Sequence, residues 1–284
     1  MLRGYRSATE YSFDEEHTDA IVRTAAYHRK DFALSMIWFS SSEHINILLH
    51  GLNLFCALLR TRLAVDISLL DFYNVLCLKS CSLCGEFGGY MSLLSWTRCC
   101  FKCLKEAPEI RVQTLSAVKK EFRLTKVELS QLKSFKTFPG IYSMEESVYK
   151  SRFTIVSLHH ASLISRRQSP ATMQFQPERS ERSKKFNFMG SCALPYYDKV
   201  TGNVEHGMSC AGCQLALEKD IIGAGGERWA FEARDKVYAQ DGFLKHFRWC
   251  EQAQLLWKSS CEGRHRPTEL PEAARRGGYF NERA

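Results

Sequence analysis

The 284-residue chain is 45% hydrophobic and 25% charged, a balance ordinary for a soluble protein and enough for one large or two small cores. Size therefore does not force its twelve cysteines to act as staples, and the opening MLRGYRSATEYSFDEEH lacks the apolar run and cleavage site of a secreted chain. The expectation is a reducing, intracellular setting, cytoplasmic or nuclear, where clustered cysteines bind metal more often than they pair.

Residues 1–75 read as a helical N-terminal region. The most apolar window, INILLHGLNLFCALL at 45–59, is interrupted by His50 and Asn53 and is shorter than the roughly 20 residues of a membrane span, so a buried helix is expected. Leu63, Ile67, Leu70 and Asn74 continue a helical spacing of three and four.

Residues 76–160 form a first zinc-binding module. Cys81 and Cys84 are separated by two residues, as are Cys100 and Cys103, with fifteen residues between the pairs: the spacing of a four-thiolate zinc site. Two thiolates so close reach one ion only if the chain turns tightly between them, and Gly85 relaxes that turn. Gly88-Gly89 and YMSLLSW suit a strand that returns the chain to the second pair, the layout of a zinc ribbon. Cys99 is an alternative ligand if the register shifts by one. Buried reduced thiols are the bland reading, and disulfides a weaker one. Further on, Val112, Leu115, Val118 and Phe122 recur at helical spacing, Thr125-x-x-Glu128 resembles a capping box, and FTIVSL at 153–158 reads as a strand.

Residues 161–187 are rich in Ser, Arg, Gln and Pro and are expected to be a flexible basic linker. Half of the net charge of +8 falls there, since six Lys or Arg between Arg166 and Lys185 stand against Glu178 and Glu181.

Residues 188–262 carry a second zinc-binding module. Cys210-Ala-Gly-Cys213 is another C-x2-C, and thirty-two residues later His246 and Cys250 stand four apart, on one face of a helix, completing a Cys3His set. Cys192 is a competing ligand. DKVTGNVEHG at 198–207 suggests a hairpin, and Asp241 an N-cap for a helix running to about Ser260. Trp249 and Phe243 on that helix are candidate partner anchors, with core packing the expected place for both. Residues 263–284 read as a loose tail. The fold class implied is α+β, with small zinc-stabilised modules, ribbon-like knuckles, short strands and helices, and two structural zinc ions.

No G-x-S-x-G, H-E-x-x-H or Walker A loop occurs, and in IIGAGGERW Arg228 stands where a dinucleotide loop has its third glycine. A closed four-thiolate site has no position for an activated water, so no catalytic residue is assigned and the chain is read as a non-enzyme.

The runs FYNVLCLKSCSLCGEFGGYMSLLSWTRCCFKCL, FRLTKVELSQLKSFKTFPGIYS, VEHGMSCAGCQ and YAQDGFLKHFRWCEQAQLLW resemble a family of fungal F-box domain proteins over about residues 65–260. That resemblance implies an N-terminal F-box docking the chain onto the adaptor of a cullin-based ubiquitin ligase, with the remainder choosing the substrate. Here no Leu-Pro-x-Glu opening precedes residue 76, so the F-box is degenerate or missing. The leading expectation is a protein-recognition protein scaffolded by structural zinc, whose partners are the ligase adaptor and a substrate. The alternative is a nucleic-acid-binding zinc-ribbon protein, against which the 81–103 segment offers only Arg98 and Lys102 as cations. No membrane partner is expected.

Overall fold

The computed structural model describes residues 50–142, 147–165, 180–221 and 228–272. Residues 1–49, 143–146, the middle of the expected linker at 166–179, the glycine-rich 222–227 and the tail from 273 lie outside the described residues. The architecture is α+β, with short helices around small antiparallel sheets.

Helix α1 (Leu52–Thr61) buries Leu54, Phe55 and Leu58 and ends where Arg62 turns left-handed at φ 63°. The helical spacing read through Leu63 to Asn74 is therefore broken, and the chain restarts at Ser68, whose side chain accepts from the Asp71 amide as a capping box for α2 (Leu69–Leu76). Strands β1 (Tyr90–Ser92) and β2 (Thr97–Cys99) form a hairpin that leads directly into α3 (Phe101–Glu106). Next come β3 (Val112–Thr114), α4 (Leu115–Phe122) and α5 (Lys126–Ser130), the last opened by the Thr125–Glu128 capping box. They are followed by β4 (Ser134–Lys136), β5 (Gly140–Tyr142), β6 (Ser147–Tyr149), β7 (Thr154–Ser157) and α6 (Leu158–Ile164).

Strand β7 lies between β3 and β4 and shows why a strand alternates. Ile155 joins the main core with Val112, Phe135, Phe186 and Leu54. Its neighbour Val156 faces the other way, into a second core with Val118, Phe122, Leu132 and Ala161.

The remaining elements are α7 (Ser180–Met189), β8 (Ser191–Ala193), β9 (Tyr196–Tyr197), β10 (Val204–Glu205), β11 (Met208–Ser209) and α8 (Ala211–Glu218). The described chain then closes with α9 (Arg228–Asp235), β12 (Val237–Tyr238), α10 (Gln240–Phe247) and α11 (Glu251–Ser259). The hairpin expected at 198–207 is β9–β10, closed by a turn in which the Asp198 carboxylate accepts from the Val200 amide and the Thr201 hydroxyl.

Three boundaries differ from expectation. Residues 180–187, read as linker, belong to α7, which buries Phe186 and Met189. Asn187, only 3% exposed, accepts from the Val112 amide at 2.9 Å and donates to the Leu104 carbonyl at 3.0 Å. Two anchoring side chains suffice to dock a segment whose average composition is polar. The cut at 188 also fails to separate two modules, because β8 pairs antiparallel with β1, Met91 opposite Cys192. In the tail, Pro271 is buried, Glu218 accepts from the Glu272 amide, and Lys219 pairs with Glu269, so residues 263–272 are held against α8.

Arg98 ties these pieces together. It is 1% exposed, and its guanidinium donates to the carbonyls of Gly88 at 2.6 Å, Val75 at 2.7 Å and Leu194 at 3.0 Å. One side chain thus joins the end of α2, the loop before β1 and the chain after β8. Burial lowers its pKa to about 10, which leaves it charged at neutral pH.

Candidate metal centres

The first centre is built from a tight turn and a helix end. An isolated bridge between Ser80 and Phe87 closes the loop, inside which the Cys81 amide donates to Glu86 O at 2.6 Å and the Gly85 amide to Cys81 O at 3.0 Å. Gly85 sits at φ 80°, a conformation that favours glycine. The second pair follows the β1–β2 hairpin at the start of a helix. Cys100 is the N-cap of α3, and its sulfur accepts from the Cys103 amide at 3.4 Å, so both thiols project from the first turn of a helix. The Sγ atoms of Cys84 and Cys100 are 3.6 Å apart, and one donor atom from each of Cys81, Cys84, Cys100 and Cys103 lies within 4.8 Å of the others.

Without an ion these thiols compete for protons. The Cys100 thiol donates to Cys81 and, with backbone amides, holds the Cys81 thiol down to about 4. Giving up that hydrogen bond pushes Cys100 up, and burial with the Cys84 contact pushes Cys103 up to about 12. A cation among the sulfurs replaces the shared protons, so loading releases them.

The second centre repeats the helix-end device. Cys210 caps α8 and accepts from the Cys213 amide at 3.4 Å. His246 comes from the last turn of α10, and Cys250 is the N-cap of α11. Cys210 and Cys250 sulfurs are 3.7 Å apart, Cys213 and Cys250 are 3.8 Å apart, and Cys213 Sγ is 3.4 Å from His246 Nε2. These four donors also lie within 4.8 Å of one another. Hydrogen bonds with the Cys210 and Cys250 sulfurs raise the His246 pKa to about 9, while hydrogen bonds from Cys210 and Cys213 hold Cys250 well below the usual thiol range.

The single helix expected from Asp241 to Ser260 is in fact two. Ala239 precedes the first turn of α10, where Asp241 lies, and the chain bends through Arg248, Trp249 and Cys250 before α11. Gln254 stabilises the bend by donating to Phe247 O at 3.0 Å and Arg248 O at 2.9 Å. His246 and Cys250 therefore meet across a bend in which the Cys250 amide donates to His246 O at 3.1 Å. Tyr238 fixes the imidazole from the other side, stacked at 4.8 Å with its hydroxyl 3.3 Å from Nδ1, which turns Nε2 toward the sulfurs.

Neither alternative ligand joins a group. Cys99 is fully buried in β2 with Leu104 and Ile110, and burial pushes its thiol up. Cys192 lies in β8 against the main core, its thiol pushed up to about 12 by burial. Strand alternation aims Cys99 away from the neighbour that takes part, and β8 is committed to β1. Phe243 is buried at 6% while Trp249 is 88% exposed, so only one of the two candidate anchors is in the core.

Tyr238, Gln254 and Gly212 support the second centre without being singled out by spacing. Gly212, inside the C-x2-C, had one signal: its place between two ligands. A methyl group there would lie 2.3 Å from Ala253 N and 2.7 Å from Ala253 Cα, both backbone atoms of α11. Gly212→Ala is expected to push α8 from α11 and draw Cys250 away from Cys210 and Cys213, at a cost of about 1–3 kcal/mol. Elemental analysis should show metal lost at the second centre and kept at the first; full content at both would refute it.

A groove of about 760 Å³ runs beside the first centre, lined by Cys84, Cys100, Cys103, Phe231, Val237 and Tyr238. Lys102 pairs with Glu232 at 3.0 Å and Lys236 with Glu86 at 3.1 Å along it. Among the described residues, no helix is long and apolar enough to cross a membrane.

Comparison with protein-family models, curated proteins and solved structures gives no match to the chain. The two groups of four donors, each able to hold a metal ion, are thus the firmest functional feature.

Proposed function

We propose that the protein is a non-enzymatic recognition protein, similar in role to F-box substrate receptors of cullin-based ubiquitin ligases, with a structural zinc ion at each centre. The observation that carries the scaffold part is the complete donor sets. Four protein donors converge in each, which fits tetrahedral coordination with no position left for substrate or an activated water. A zinc–sulfur bond of about 2.3 Å makes the edge of a tetrahedron about 3.8 Å, and with a zinc–nitrogen bond of about 2.0–2.1 Å the mixed edge is about 3.5 Å. Sulfur separations of 3.6, 3.7 and 3.8 Å and a sulfur–nitrogen separation of 3.4 Å agree with both. They also exceed by far the roughly 2.05 Å of a disulfide.

The recognition part is supported by Trp249, exposed between two ligands of one centre, because exposed aromatics on a rigid frame dominate interface energies. The ligase part rests on the resemblance alone. A nucleic-acid role has less support: of the two cations within 81–103, Arg98 is buried and Lys102 pairs with Glu232.

The test is zinc content of the purified full chain together with binding to purified ligase adaptor. Two zinc ions per chain and a stable complex are expected. A folded chain without zinc would overturn the scaffold reading, and a zinc-loaded chain indifferent to the adaptor would overturn the ligase reading while leaving the scaffold.

A further inference from the structure

We infer that the bend between α10 and α11 is a docking surface for an acidic polypeptide segment bearing an apolar side chain, a refinement that rests on the recognition reading above. Trp249 is 88% exposed, more than any other large apolar side chain among the described residues, and Leu244 is 55% exposed. Helical backbone angles continue through Arg248 at φ −62° and ψ −22°, so positions four apart lie side by side: Leu244 by Arg248 and Lys245 by Trp249. An apolar pair is thus interleaved with a cationic pair on one small surface.

The same surface is held still. Trp249 lies between His246 and Cys250, its amide donates to His246 O at 3.0 Å, and Gln254 binds the two preceding carbonyls. A tryptophan on a pre-organised backbone loses little freedom on binding, which is what makes tryptophan and arginine effective anchors.

Charge names the partner. Over α10, the bend and α11 the cations are Lys245, Arg248 and Lys258, against Glu251 and Asp241, the latter paired with Lys79 at 3.6 Å. Arg248 and Lys245 are exposed and form no ion pair with another described residue. A partner carrying carboxylates around one aliphatic or aromatic side chain complements both features. A membrane surface fits less well. The apolar part here is a single Trp and a Leu, little apolar area to bury in a lipid interface.

A random peptide library displayed on phage, selected against the zinc-loaded full chain, tests this directly. Peptides with net negative charge around an apolar residue should be enriched, and a synthetic copy should bind with an affinity that falls as salt rises. Trp249→Ala should weaken that binding by about 30-fold or more, and Arg248→Glu should weaken it and flatten the salt dependence, both with zinc content and circular dichroism unchanged. Trp249→Phe, which keeps a ring, should retain most of the affinity. No enrichment, enrichment without acidic character, or equal binding by Trp249→Ala would overturn the inference. So would Trp249-dependent binding to phosphatidylserine vesicles in place of peptide. Acidic-peptide binding by a folded but zinc-free chain would overturn the scaffold reading and leave this surface standing.

Discussion

Cys213→Ser should reduce the metal content from two ions to one and unfold the region around α8, α10 and α11. The fully buried part of the apolar cluster there is small, Phe243 and Ala253 with the two thiols themselves, Cys210 and Cys213, and Met208, Ala233, Tyr238 and Phe247 pack only partly buried against it. A structural zinc contributes on the order of 10–16 kcal/mol in peptide systems, as much as the roughly 5–15 kcal/mol net stability of a whole domain. Serine keeps the size of the side chain but offers a poor ligand, so nearly all of that contribution is lost. Cys84→Ser should do the same at the first centre, whereas Cys99→Ser, removing a buried thiol outside the group, should leave both ions bound. Elemental analysis paired with urea unfolding monitored by near-UV circular dichroism reads both effects. Unchanged metal content and midpoint in Cys213→Ser would refute the assignment. Because Cys103 and Cys213 hold their protons tightly in the metal-free chain, loading must release protons, and affinity should fall as pH falls.

Arg98→Ala should be the most damaging substitution away from the ligands, costing about 2–6 kcal/mol from two orphaned buried carbonyls. Four carbonyls, those of Val75, Leu76, Gly88 and Leu194, accept from this one guanidinium. Two of them end α2, where the negative end of the helix dipole favours a cation. Truncation leaves the Gly88 and Leu194 carbonyls without this donor, each a penalty of about 1–3 kcal/mol, while Val75 O keeps the Leu78 amide at 3.4 Å. Arg98→Lys should recover only part, because a single ammonium cannot reach the separate directions that a planar fork covers. Urea midpoints of the zinc-loaded chains decide it: a loss below about 1 kcal/mol in Arg98→Ala would show that water or a rearranged loop satisfies the carbonyls.

Arg98 also illustrates what could be read in advance. A lone arginine between Thr97 and Cys99 looks like a surface cation on a knuckle, and nothing local says that its partners lie before the hairpin and far beyond it. Features written in short spacings were legible: the C-x2-C pairs, the Thr125–Glu128 box, the β7 run at 153–158 and the 198–207 turn, each decided by neighbours within a few positions. Features decided by distant partners were not. Strand β8 has no sequence mark of its own commitment to β1, and Asn187 reads as one more polar residue in a polar stretch. The bend at Trp249 is not legible in the sequence because the spacing of His246 and Cys250 fits a continuous helix equally well; Gln254, which holds the bend, carries no distinctive signal.

The pairing of β1 with β8 sets an order of events during synthesis. Arg98 and its acceptor Leu194 are separated by 96 positions, so at about 5–20 residues per second the first hairpin emerges from the ribosome some 5–20 s before the strand that completes it. Throughout that interval β1 presents an open edge, and the first four thiols can capture an ion before the second set exists. A chain whose translation stalls before residue 191 would carry one metal and an unpaired strand, the kind of intermediate on which chaperones act.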